Sequence, residues 1–250
     1  MIHSILLIGQ SNMAGRGFLE EAVPVDTTRL KVLRNGRWQG LYRPVNGDRR
    51  FSGVNLAESF AEAYAKKFDV DVGIIPCADG GTSLMQWQPG SLLFDHAVFQ
   101  AKLAQRTSTI AAVLWHQGEA DCADGLWQTY QARLEPILKA LRAELDLYDV
   151  PFLLGGLGDY LKNYTAEAIR RNYPLVNSAL QKTAADHPMT GYVSAENLGA
   201  NPDNLHFNAK ALHEFGLRYF AEFEKYRDPN KIFTEKCAMD DAIRTELEKL

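Results

Sequence analysis

Alternation constrains this chain more than any other feature. Short apolar runs that fit buried strands take turns with longer runs whose apolar residues recur at helical spacing. "HSILLIG" (3–9), "VDVGIIPC" (70–77), "STIAAVLWHQ" (108–117), "VPFLLGGLG" (150–158) and "GYVSAE" (191–196) read as strands. The stretches 54–68, 91–107, 126–145, 166–187 and 208–227 read as helices. Right-handed crossovers between such units make a parallel sheet with helices on both faces. Pro136 is expected to kink its helix or mark a restart, and Pro174 also falls inside a helical stretch. The segment 30–41 breaks the rhythm: Asn35-Gly36 between β-prone residues predicts a small hairpin inserted after the first strand.

The 250 residues are read as one α/β domain, because no linker, repeat or low-complexity stretch divides them. The charged segment from about Asp228 is expected to be a peripheral tail. A net charge of −4 argues against nucleic acid or an anionic membrane as main partner. No apolar run approaches membrane-spanning length. The N-terminus has no basic n-region and reads as a core strand, not a signal peptide. Cys77, Cys122 and Cys237 are odd in number and far apart, which points to free thiols in a reduced, cytoplasmic protein. Oligomeric state has no signature in the sequence.

In open parallel sheets, ligands sit beyond the carboxyl ends of the strands. Here those ends are polar and glycine-rich. Gly9-Gln10-Ser11-Asn12 follows the first strand, Asp79-Gly80-Gly81-Thr82 the second and Gln117-Gly118-Glu119 the third. Asp203-Asn204-Leu205-His206 precedes the last helix.

The first of these loops fails the phosphate patterns. Gly9 and Gly15 are one residue too far apart for a P-loop, and Glu20 stands where a dinucleotide loop needs glycine. Met13 rules out G-x-S-x-G. A serine directly after a strand still presents an exposed hydroxyl. Asp203-x-x-His206 offers the base and the group that orients it, since a spacing of three lets the aspartate fold back onto Nδ1. Candidate oxyanion donors are the Ser11 N–H, an N–H of Gly80 or Gly81, and the Gln117 side-chain amide.

Together these residues resemble the SGNH (GDSL-like) hydrolase superfamily. More narrowly, they resemble carbohydrate esterase family six, the group of acetylxylan esterases and sialate O-acetylesterase-like proteins. The resemblance is carried by "GQSNMAGRG" (9–17), "PCADGGTSLMQW" (76–87), "LWHQGEAD" (114–121) and "DNLHF" (203–207), in that order. It implies a flavodoxin-like three-layer α/β/α sandwich around a five-stranded parallel sheet. It implies Ser11 as nucleophile, His206 as base and Asp203 as its partner. Ser11, Gly80 (favoured over Gly81) and Gln117 would form the oxyanion hole, Gln117 replacing the asparagine of the wider superfamily. The implied reaction is hydrolysis of acetyl esters on a small or oligomeric carbohydrate, with no metal or cofactor.

Asn12 and Arg16 are expected to stabilise the turn around Ser11. Glu119 is expected to pair with Arg16 and pin two loops, or else to assist the chemistry. His116 reads as a core or supporting histidine. Trp38 and Trp87 are read equally as sugar platforms or as packing. Arg49 and Arg50 read as a solvated loop, with contact to an acidic sugar as the sharper alternative.

Overall fold

In the computed structural model, residues 2–123 and 125–226 are described. The expected tail from Asp228, and Cys237, lie outside them. Seven strands form one sheet in the order β3-β2-β4-β1-β5-β6-β7. They are β1 (Ile2–Gly9), β2 (Leu30–Arg34), β3 (Arg37–Gly40), β4 (Asp71–Pro76), β5 (Ser108–His116), β6 (Phe152–Gly155) and β7 (Thr190–Val193). All neighbours run parallel except β2 and β3.

The five strands read from the sequence form the parallel centre, and the sheet extends beyond them. The hairpin expected at 30–41 forms, and it joins the sheet: β2 pairs with β4 and adds two strands to that edge. Asn35 (φ 51°) and Gly36 (φ 73°) make its turn, both in the left-handed region a tight hairpin requires.

β1 is the middle of the sheet, and Ile5, Leu6, Leu7 and Ile8 are fully buried. A strand covered on both faces needs such a continuous apolar run. Helix α2 (Ala57–Phe68) packs on α6 (Ala209–Glu224) through Phe60, Tyr64, Phe220 and Phe223. Helices α3 (Leu92–Gln105), α4 (Tyr130–Leu145) and α5 (Glu167–Asp186) form a second row, α3 against β5 and α5 against β7. Pro136 and Pro174 lie inside α4 and α5, and neither ends its helix. Pro136 therefore marks no restart; the chain loses one backbone N–H bond there and continues.

The order reverses at β1, with β4 on one side and β5 on the other. That switch point opens a crevice at the carboxyl ends of these three strands. The backbones close tightly there. Gly9 has φ +134°, and a Cβ on it would lie 2.1 Å from the His116 carbonyl oxygen, so only glycine fits.

Candidate active site

The crevice is built from three strand ends and one returning loop. After β1 the chain turns into a single helical turn, α1 (Ser11–Ala14), with Gln10 extended before it. Ser11 is the first residue of that turn, so its N–H precedes the intrahelical bonds. Among the described residues that N–H has no acceptor.

The loop before α6 brings in the histidine. It is a tight hairpin: Ala200 bridges to Phe207, and Asn201 N donates to His206 O at 2.8 Å. Asn204 takes φ 51° within it. Phe207 is fully buried against His116, Tyr160 and Phe215, which anchors the hairpin to the core. Its neighbour His206 is thereby turned toward Ser11.

Ser11 Oγ lies 3.0 Å from His206 Nε2. His206 Nδ1 lies 2.7 Å from Asp203 Oδ2. The other oxygen of Asp203 accepts from the Leu205 and His206 N–H groups at 2.9 and 3.0 Å. Burial pushes the Asp203 carboxyl up, but these N–H groups and His206 outweigh it and hold its pKa below the ordinary value. A hydroxyl bonded to an imidazole that an ionised carboxylate orients is the arrangement in which a serine can lose its proton.

The loop after β4 faces Ser11. Gly80 N–H donates to Asp48 Oδ2 at 2.8 Å, so that N–H is occupied. Gly81 has φ +78°, lines the cavity beside Ser11, and has no acceptor for its N–H among the described residues. Of the two glycines, Gly80, the one favoured from the sequence, has its N–H engaged, and the N–H of Gly81 is the open one.

Gln117 does not face the cavity. It is fully buried, and its Nε2 donates to Asp121 Oδ2 (2.6 Å) and Thr82 O (3.0 Å). Tyr130 Oη donates to its carbonyl and side-chain oxygens at 2.7 and 3.1 Å. A side chain held at both ends has no donor left for an oxyanion. Gln117 instead ties the end of β5 to the turn after β4 and to α4. Gln10 is the glutamine that lines the cavity, with its Oε1 accepting from Gln117 Nε2 and Gly118 N at 3.3 Å.

Arg16 pairs with Asp48, not Glu119. Its Nη1 and Nη2 reach the two Asp48 oxygens at 3.0 and 2.7 Å, with both side chains buried. Glu119 binds Asn12 Nδ2 at 2.6 Å and faces His116 Nε2 at 3.3 Å. Burial raises the Glu119 pKa, yet the bonds from His116 and Asn12 hold it below the usual value. The side-chain bonds of Asn12 leave its own turn for the histidine loop, donating to Leu205 O and accepting from Phe207 N. Among the described residues no group of three His, Cys, Asp or Glu side chains converges on a metal position.

Both tryptophan platforms fall away. Trp38 on β3 donates to Thr107 Oγ1 at 3.0 Å, just before β5 begins, so it lies toward the amino ends of the strands, away from the crevice. Trp87 is 1% exposed, bonded to Thr82 Oγ1 and edge-on to Trp115. Arg49 is not simply solvated: it binds Asp79 Oδ1 and Gly80 O, both at 2.8 Å. Arg50 lines a cavity and forms no ion pair among the described residues.

Sequence reasoning missed Asp48, Asn201 and Phe51. Asp48 stands beside two arginines in a glycine-containing loop, and nothing local signals that it reaches Arg16, 32 residues away.

A family model described as "Carbohydrate esterase, sialic acid-specific acetylesterase" matches residues 2–225. A probable carbohydrate esterase of Arabidopsis thaliana is 27% identical over 238 residues, 85% of this chain and 86% of that one. The X-ray structure of an Arabidopsis thaliana protein aligns with a TM-score of 0.80 at 26% identity, covering 89% of this chain and 98% of that one. NanS shares the fold at a TM-score of 0.68 and 17% identity, covering 90% and 97%. A carbohydrate acetylesterase from Xanthomonas citri does so at 0.64 and 18%, covering 87% and 55%.

Proposed function

The chain belongs to the carbohydrate esterase family of sialic acid-specific acetylesterases, and from that premise we propose that it removes acetyl groups from sugar hydroxyls through an acyl-enzyme on Ser11. The observation that carries this reading is the unbroken line from Ser11 Oγ to His206 (3.0 Å) to Asp203 (2.7 Å).

Ser11 Oγ attacks the ester carbonyl carbon, and its proton passes to His206 Nε2. The oxyanion meets the N–H groups of Ser11 and Gly81. Asp203 holds the imidazole in the tautomer with Nδ1 protonated and stabilises the imidazolium. The carbon–oxygen bond to the sugar breaks, and His206 returns the proton to the leaving oxygen. Water then adds to the acetyl-serine with His206 as base. The Ser11 ester bond breaks, acetate leaves, and Ser11 regains its proton. Every proton is carried by His206, so no step requires a metal or cofactor.

Among acetylated sugars we favour one bearing a carboxylate, as the family description names, over xylan. The unpaired Arg50 guanidinium beside the crevice supports that choice. Cys77 and Cys122 are buried free thiols, which suits a reducing, cytoplasmic setting; burial pushes both thiols up, away from reactive thiolate. Among the described residues no helix is long and apolar enough to cross a membrane.

The test is acetate release from p-nitrophenyl acetate, wild type beside Ser11→Ala. Turnover should fall by at least about 10³-fold in the variant. Equal rates would remove Ser11 as nucleophile and leave a carbohydrate-binding role for the crevice.

A further inference from the structure

Two cavities meet at His206. One, of about 350 Å³, is lined by Ser11, Gly81, Ile169 and Leu205. The other, of about 480 Å³, is lined by Phe18, Leu19, Arg50, Asn201 and Asp203. Arg16, Phe51 and His206 border both.

We infer that the ester is divided between these cavities: its acyl half sits in the first and its alcohol half in the second, with the Phe51 ring as the shared wall. The inference rests on the serine reading above. The attacking Oγ and the two N–H groups border only the first cavity, so the carbonyl must lie there. The leaving oxygen must reach the His206 proton, and His206 opens onto the second cavity as well. That cavity therefore receives what departs.

The lining of the second cavity fits a hydroxyl-rich alcohol with one apolar face. Phe51, Phe18 and Leu19 are 69%, 43% and 52% exposed. Rings left this open can stack on the C–H face of a sugar. Phe51 is also backed: the Arg16 guanidinium lies 5.1 Å from its centroid, and Asp48 fixes that guanidinium. The polar part of that lining comes from Arg50, Asn201 and Asp203.

The first cavity has a different character. Ile169 and Leu205 give it an apolar end suited to a short acyl chain. Acyl length is then read by Ile169, and alcohol identity by Leu19 and Phe51.

Two ratios of kcat/KM test this, each taken within one variant so that the folded fraction cancels. The first compares an acetylated hexoside with ethyl acetate. The second compares ethyl butyrate with ethyl acetate. Leu19→Trp, which fills the second cavity from an exposed position, should lower the first ratio at least tenfold and move the second less than twofold. Phe51→Ala should act in the same direction. Ile169→Ala should raise the second ratio at least fivefold and leave the first within twofold. The division is overturned if Leu19→Trp moves acyl preference instead of alcohol preference, or moves neither ratio. Ser11→Ala separates the two readings. With its activity abolished and the ratios unmoved, the nucleophile stands and the division falls; with its activity retained, both fall.

Discussion

Asn12 grips the chain on both sides of His206. Its Nδ2 donates to Leu205 O at 3.2 Å, and its Oδ1 accepts from Phe207 N at 3.1 Å. The residue after Ser11 thus sets the position of the imidazole that Ser11 faces. The same amide reaches Glu119 at 2.6 Å, so three separate loops converge on one buried side chain. Asn12→Ala leaves those partners buried and unpaired, at a cost of about 1–3 kcal/mol. It also frees the His206 loop, and a displacement near 1 Å costs about 10²-fold in rate. The expected outcome is a kcat lowered about 100-fold with KM little changed, measured well below the reduced Tm. A lower Tm with kcat intact would make Asn12 a packing residue only.

Asp48 does for the glycine turn what Asn12 does for the histidine. It receives two bonds from Arg16, one from Ser52 Oγ at 2.8 Å and one from Gly80 N at 2.8 Å. Asp48→Asn keeps the shape but strands a buried guanidinium, which costs about 3–5 kcal/mol. Adding Arg16→Met should recover much of that stability, because no unpaired charge remains. It should not recover kcat, because the anchor of the Gly80-Gly81 turn stays weakened. Denaturant unfolding and steady-state kinetics on the single and double variants check both halves. Parallel recovery of stability and kcat would show that Asp48 acts on folding alone.

Acid stability follows from three depressed carboxyls. In Asp48, burial raises the pKa, but Arg16, Ser52 and the Gly80 N–H together bring it below the ordinary value. Glu119 and Asp203 are also lowered. A carboxyl with a lowered folded pKa adds stability above its unfolded value, about 3.9 for Asp and 4.3 for Glu. That stability is lost as pH falls through the lowered folded values. Tm should therefore hold steady from these groups between about pH 7 and 5, then decline below about pH 4. Glu119→Gln should lower Tm at pH 7 and make the acid decline shallower, with little change in the pH profile of kcat. A profile displaced with Tm unchanged would give Glu119 a part in the chemistry.

What the sequence made legible follows from how locally each feature is determined. The central strands and their helices were readable because hydrophobic period is a property of each segment alone. The contact between Asp203 and His206 was readable because a spacing of three within one turn leaves few geometries. Gln117 was not, since its direction is set by Asp121 in the next turn and by Tyr130 on α4. The pairing of Arg16 was not either: Asp48 and Glu119 are chemically equal partners, and only the fold puts Asp48 at 2.7 Å. The hairpin was read correctly as a hairpin, but its place at the sheet edge depends on β4 returning beside it. Trp87 shows the same limit: a tryptophan within a motif can lie inside the core.

Arg50 gives the substrate question a direct handle. It borders the cavity next to His206 and forms no ion pair among the described residues, whereas Arg49 is held by Asp79. A guanidinium free of internal partners can meet a sugar carboxylate, and a hydrogen bond to a charged group contributes about 1.5–3 kcal/mol. Arg50→Glu replaces that attraction with repulsion. The ratio of KM for a carboxylated sugar acetate to KM for a neutral one should rise at least about tenfold, as the lower end of that range implies. Salt should act in the same sense on the wild type, raising KM for the charged substrate as ionic strength screens the contact. An unchanged ratio, together with a salt-independent KM, would take the carboxylate away from Arg50 and place substrate choice on the apolar wall formed by Phe18, Leu19 and Phe51.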